Sequence, residues 1–178
     1  VSGKVMSESE QELISDLQGI ENIQLLKENA NINFYLGENS DTYTIKEALE
    51  VPAGKPSIKE VLRNDVKITG KDFKITDNKI IAKGEVNIAT LYIGDDENQS
   101  IQYMEHEVPF TQFVNFEGLS ENSSCDVDYQ IGNVEFESGE DSDGEFRVLN
   151  SEITLNIFAS GYEKRSIELI SDAYSPRQ

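Results

Sequence analysis

The chain contains no tryptophan, one histidine, one cysteine and four prolines in 178 residues. With Cys125 alone, neither an intramolecular disulfide nor a cysteine-based zinc site can form. His106 and Cys125 are the only formal candidates for a Cys–His nucleophile pair. They fall on separate strands or loops, and nothing in the sequence orients one toward the other. Aromatic residues make up 8% of the chain, which leaves few platforms for stacking against sugar rings. The apolar runs are far shorter than the roughly 20 residues needed to cross a bilayer as a helix. Residues 1–15 hold no apolar segment of the kind a secretory signal needs. No nucleophile elbow, phosphate-binding loop, dinucleotide fingerprint or H-E-x-x-H pair occurs.

Positive charge is also scarce. Thirty-four acidic residues face fifteen basic ones, for a net charge of −19. A nucleic-acid backbone or an anionic membrane surface would be repelled, so neither nucleic-acid binding nor membrane insertion is expected. The acidic surface reads as a solubilising shell, with a basic partner or a divalent cation as the sharper alternative. Carboxylate pairs able to hydrolyse glycosides are inevitable by chance among so many acids and carry no weight. No catalytic residue, cofactor or metal site is expected.

The length suits one domain or one domain with an extension. Residues 1–28 read as a helical extension or linker, and 29–176 as a β-rich domain. Ser7 and Glu10 form a capping box, with Leu13, Ile14 and Leu17 at helical spacing and Gly19 as the stop, which predicts a helix over 8–18. A second apolar patch (Ile20, Ile23, Leu25, Leu26) reads as further helix or as linker. From residue 31 the period changes to two. Ile32, Phe34 and Leu36 alternate with polar residues, and 37–41 (GENSD) reads as a turn.

The most structured punctuation is residues 49–63, LEVPAGKPSIKEVLR. Pro52 and Pro56 fix φ near −65°, and Gly54 is free to take a positive φ. Ser57 and Glu60 make a second capping box, and Ile58, Val61 and Leu62 give a short helix over 57–63 its apolar face. Strand patterns then follow one another. The run 80–93 is rich in β-branched residues, with Gly84 as a bulge or bend. Pro109 marks an edge or corner. Met104, His106 and Val108 share one side of a strand, so His106 reads as a half-buried structural residue. Residues 146–159 and 166–170 read as the last two strands, joined by a turn at 160–163. Short loops between successive strands predict antiparallel pairing. The expected fold is mainly β: an antiparallel β-sandwich or barrel-like domain, with a short capped helix after the first strand and an N-terminal helix.

Two loops invite a calcium reading and fail it. With Gly144 at the sixth position of an EF-hand loop, Gly139 and Asn150 would occupy positions that require carboxylates. Asp95, Asp96 and Glu97 are a solvated hairpin loop by the same test. Asn122-Ser123-Ser124 fits a glycosylation acceptor, a pattern too common to weigh. Phe110, Phe113 and Phe116 form an aromatic corner that reads either as core or as an interaction surface.

Four segments in order carry a resemblance. They are residues 49–63 above, GEVNIATLYI at 84–93, MEHEVPFTQF at 104–113 and SDAYSP at 171–176. Together they resemble the SPOCS domain of SipL-like endospore coat proteins, whose members occur in tandem and with LysM modules. The resemblance implies a non-enzymatic structural module that mediates protein–protein contacts during coat morphogenesis. It implies a location in the mother-cell cytoplasm at the forespore surface, and then in the spore coat. It implies partners among other coat morphogenetic proteins, including the coat-basement ATPase SpoIVA, and self-association into a homo-oligomer. A carbohydrate-binding module directed at cortex peptidoglycan is the alternative, since family members travel with LysM.

Overall fold

Alternation with period two dominates the chain, and the structure turns it into six long strands. This computed structural model describes residues 24–174. The strands are β1 (Gln24–Glu50), β2 (Ile58–Thr76), β3 (Lys79–Gly94), β4 (Ile101–Asn115), β5 (Ser124–Gly139) and β6 (Val148–Tyr174). They form two three-stranded sheets, ordered β2-β3-β4 and β1-β6-β5. The pairs β2/β3, β3/β4 and β5/β6 are antiparallel. No helix occurs among the described residues.

The chain divides into two units, residues 35–163 and residues 1–34 with 164–178. The core lies in the first. On β3, Ile80, Ala82, Val86, Ile88 and Tyr92 have no exposed surface. On β6, Leu149, Ile153, Leu155 and Ile157 are equally buried. These are the middle strands of their sheets, where both neighbours shield the inward face. Met104, Val108, Phe110 and Val114 of β4 and Ile45 and Leu49 of β1 complete one apolar cluster. Burying each such side chain fully contributes about 1.5–3 kcal/mol. In the second unit, Lys27 pairs with Glu168 at 2.9 Å, and the Arg165 guanidinium lies 3.9 Å from the centre of the Phe34 ring.

The helix expected over 57–63 is a strand. Ile58 and Val61 are three residues apart and both face inward, which a helix achieves by its pitch and a strand achieves with one extra residue. β2 slips register between Ile58 and Glu60 and again between Val61 and Arg63. Each bulge restores the apolar residue to the core side. Pairing with β3 also satisfies backbone groups that a helix of seven residues, well below the roughly 12–15 needed for stability alone, would leave open. A third slip between Thr69 and Asp72 coincides with Gly70 at φ 57°, the left-handed position that a glycine bulge requires.

Two expected turns are also absent. β1 runs through 37–41 and β6 runs through 160–163. Gly37 holds φ at 136°, which bends the strand without reversing it. Asn39 Nδ2 donates to the Asn115 carbonyl at 2.6 Å, so the turn-type side chain ties β1 to β4. A Cβ on Gly161 would stand 2.9 Å from the Phe116 ring and 3.1 Å from Leu119. That glycine admits two buried side chains. The two last strands expected are therefore one. Gly84 lies at a bulge but is not the extra residue: β3 pairs in unbroken register with β4 across it, and the slip is on β2, where Gly70 and Lys71 stand against it. A Cβ there would sit 2.8 Å from the Phe110 ring. Pro109 lies on β4, an edge strand, where its missing N–H costs no ladder bond. The helix expected over 8–18 lies outside the described residues.

Candidate interaction surfaces

The groups that could do chemistry are held in structural roles. His106 faces inward between Met104 and Val108, and its Nε2 lies 2.9 Å from the Glu50 carbonyl. Its Nδ1 is buried without a partner. Cys125 is half-buried on β5, in the other sheet, so the two are not brought together. Burial pushes the Cys125 thiol above its ordinary range, and the neighbouring Asp126 charge adds to this. Asp141 accepts the backbone N–H of Asp143 at 2.9 Å and of Glu145 at 3.1 Å, which folds its loop around its own carboxylate. Ser100 donates its backbone N–H and its hydroxyl to Asp96, which holds that carboxyl below its usual range. Among the described residues no carboxylate is buried, and no three His, Cys, Asp or Glu side chains gather as a metal site would need.

The turn at 51–57 is clamped by a residue that sequence reading passed over. The Arg147 guanidinium donates to the carbonyls of Lys55 at 2.9 Å, Val51 at 3.3 Å and Pro52 at 3.4 Å. Val51 N–H donates to the Arg147 carbonyl at 2.8 Å, and the Tyr92 hydroxyl to the Pro56 carbonyl at 3.0 Å. Lys55 Nζ reaches the Tyr103 carbonyl on the outer edge of β4. With Asn39 on Asn115, this blunts β4 against pairing with another strand.

What remains are surfaces, and the outward faces of the two sheets differ. On β1-β6-β5, Glu135 stands opposite Glu152 and Glu137 opposite Asn150. Lys46 pairs with Glu152 at 2.8 Å. These residues border an open depression of about 740 Å³. This face is acidic, and its like-charged cross-strand pair is unfavourable in isolation.

On β2-β3-β4 the outward positions of β2 are Glu60, Arg63, Asp65, Lys67, Thr69, Asp72 and Lys74. They stand opposite Ile93, Leu91, Ala89, Asn87, Glu85, Lys83 and Ile81 of β3. β4 then sets Ile101 beside Ile93, Tyr103 beside Leu91 and Phe113 beside Ile81. With Lys79 of β3 and Glu105 and Glu107 of β4, this face carries five cations and six carboxylates. It is of mixed charge on a chain that carries −19.

The aromatic corner divides between core and surface. Phe110 and Phe116 are 6% and 3% exposed, and Phe113 is 54% exposed on the outward face. Phe110 packs against Tyr129 with ring centres 6.2 Å apart, and the Tyr129 hydroxyl donates to the Asp72 carbonyl at 2.7 Å. The block formed by Leu91, Ile93, Ile101 and Tyr103 was missed. Its signal is the unbroken apolar run Leu91-Tyr92-Ile93. In a strand with one solvated face, such a run makes the solvated side apolar too.

Among the described residues the arrangement is all-β, with an acidic face on one sheet and a mixed-charge face on the other. Residues 57–138 match the family model described as SipL, SPOCS domain. The match takes in β2, β3, β4 and nearly all of β5. Of the four segments that carried the resemblance, 84–93 and 104–113 lie wholly within it. Residues 49–63 overlap its start, and 171–176 lie beyond its end. No curated protein and no solved structure matches the chain.

Proposed function

We propose that this chain is a non-enzymatic assembly module of the bacterial endospore coat, working through protein–protein contacts during coat morphogenesis. The observation that carries the reading is the SPOCS match across β2 to β5. The sheet faces support it, because they expose apolar side chains such as Phe113 where a contact can form. In this reading the two sheets pack as a β-sandwich around their shared core. The module works in the mother-cell cytoplasm at the forespore surface. Its partners are other coat morphogenetic proteins, with the coat-basement ATPase SpoIVA among the candidates. The contact side chain is Phe113, exposed beside Ile81 at one end of the mixed-charge face.

The test is a pull-down from sporulating cells with the wild-type chain and with Phe113→Asp. The reading expects the variant to fold, since Phe113 is exposed, and to lose the coat proteins that the wild type recovers. Recovery of no coat protein by the folded wild type would sink the reading. Co-sedimentation with purified cortex fragments, in the absence of coat-protein capture, would favour the peptidoglycan-binding alternative instead.

A further inference from the structure

The apolar block at the other end of the same face has no role in that reading. Leu91, Ile101 and Tyr103 are 36%, 68% and 50% exposed, and Ile93 lies among them half-buried. The register places the four as two adjacent cross-strand pairs, Leu91 with Tyr103 and Ile93 with Ile101. Exposed apolar patches rimmed by polar residues mark contact sites. The rim here is acidic. Glu60 stands opposite Ile93 on β2, and Glu105 follows Tyr103 on the same side of β4. Asp95, Asp96 and Glu97 occupy the hairpin that joins Ile93 to Ile101. The cations nearby are fewer, and two are held: Arg63 by Asp65 at 2.7 Å, and Lys55 by the Tyr103 carbonyl. Lys59 beside Glu60 is the third. With Asp65 included, six carboxylates lie around the block against three cations. Desolvation pushes the Tyr103 phenol above 10.0, and the Glu105 and Asp65 charges add to this.

We propose that this block is the docking site for a cationic amphipathic segment of a partner protein, one that sets bulky apolar side chains between lysines or arginines. Such a site presupposes the contact-module reading above and adds the chemistry of the partner. Apolar side chains of the segment cover Leu91, Ile93, Ile101 and Tyr103, and its cations meet Glu60, Glu105 and the hairpin carboxylates. The field of a chain at −19 draws a cationic segment in. Charge alone does not choose this place. The depression around Glu135 and Glu152 is acidic too, but its lining offers one large apolar side chain, the half-buried Phe136. The Phe113 end is apolar, but Lys74, Lys79 and Lys83 stand around it. It lies ten residues from Tyr103 on one strand, about 33 Å at strand rise. Apolar surface and excess carboxylate coincide at the block. A second copy of this chain would bring its own −19 against the same rim. The outer edge of β4 is blunted by Lys55 and Asn39, so the segment lies on the face instead of adding a strand.

Amide NMR of the isotope-labelled chain, titrated with a short synthetic peptide of alternating lysine and leucine, tests this. Saturable shifts centre on Glu60, Leu91, Ile93, Ile101 and Tyr103. A peptide with serine in place of leucine binds about tenfold more weakly, and one with glutamate in place of lysine does not bind. Ile101→Ser and Tyr103→Ser each weaken the lysine–leucine peptide about tenfold, and the rest of the amide spectrum stays in place because both side chains are exposed. Glu60→Lys weakens it as well. Phe113→Asp and Glu135→Lys leave it nearly unchanged at physiological salt, where charges that far off are screened. Shifts centred on Glu135 and Glu152, equal binding of the serine peptide, or no saturable binding would each overturn the proposal. So would a dimer of the chain alone, seen in sedimentation, that Ile101→Ser dissolves. Phe113-dependent capture of coat proteins is read separately, so a failed titration leaves the contact-module reading standing.

Discussion

At Gly84 a single hydrogen faces the ring of Phe110, and any larger side chain would press on it. The ring is buried, wedged beside Tyr129, and has little room to retreat. Gly84→Ala therefore costs about 1–3 kcal/mol by overpacking, read as a lower urea midpoint with an unchanged slope. An unchanged midpoint would mean that the ring relaxes freely. The tyrosines supply a second test at this scale. Burial pushes the Tyr92 phenol above 10.0, with the Arg147 charge opposing. It does the same to Tyr129, with a backbone hydrogen bond from Lys83 opposing and the Asp72 charge adding. The folded protein holds these protons more tightly than the unfolded chain. Their contribution to stability is thus complete below pH 10 and is lost as pH climbs through the raised values. A spectrophotometric titration should show part of the tyrosine absorbance change arriving at higher pH in the native protein than in denaturant. A native curve that coincides with the denatured one would contradict the burial.

At the scale of elements, Arg147 holds the turn between β1 and β2 through three carbonyls. Hydrogen bonds to a charged group contribute about 1.5–3 kcal/mol, and truncation leaves acceptors unpaired. Arg147→Ala should lower stability by about that amount. Arg147→Lys should recover only part of it, since one ammonium cannot span three acceptors in the geometry of a planar fork. Full recovery by lysine would reduce the role of Arg147 to charge alone. The strand–turn part of residues 49–63 was legible, because proline and glycine act locally. The helix after it was not. Spacing of three between Ile58 and Val61 is shared by a helix and by a bulged strand, and only the partner β3 decides between them. Gly37 and Gly161 misled for a related reason. Sequence shows that a glycine is present, and contacts at a distance show whether it serves a turn, a bend or the approach of Phe116. That 80–93 is a strand, by contrast, was readable directly from its β-branched residues, though which of its positions are buried came only with the structure.

For the whole molecule, charge distribution matters more than charge total. The sum of −19 is visible in composition. Its arrangement, one acidic face and one of mixed charge, depends on register and was not visible. The separation of Phe113 from Phe110 and Phe116 is of the same kind. Three phenylalanines at spacings of three cannot all share one side of a strand, and the structure puts the middle one outward. The SPOCS resemblance was legible because it rests on ordered local segments, and the family match covers the sheet that carries the mixed-charge face.

The central claim is assembly at the forespore surface through that face. It is tested most directly by imaging fluorescent fusions of the wild type and Phe113→Asp in sporulating cells, at matched protein levels. The account predicts that the wild type gathers in a shell around the forespore and that the folded variant stays diffuse in the mother cell. A wild type that remains diffuse, or a variant that gathers as well as the wild type, would contradict it.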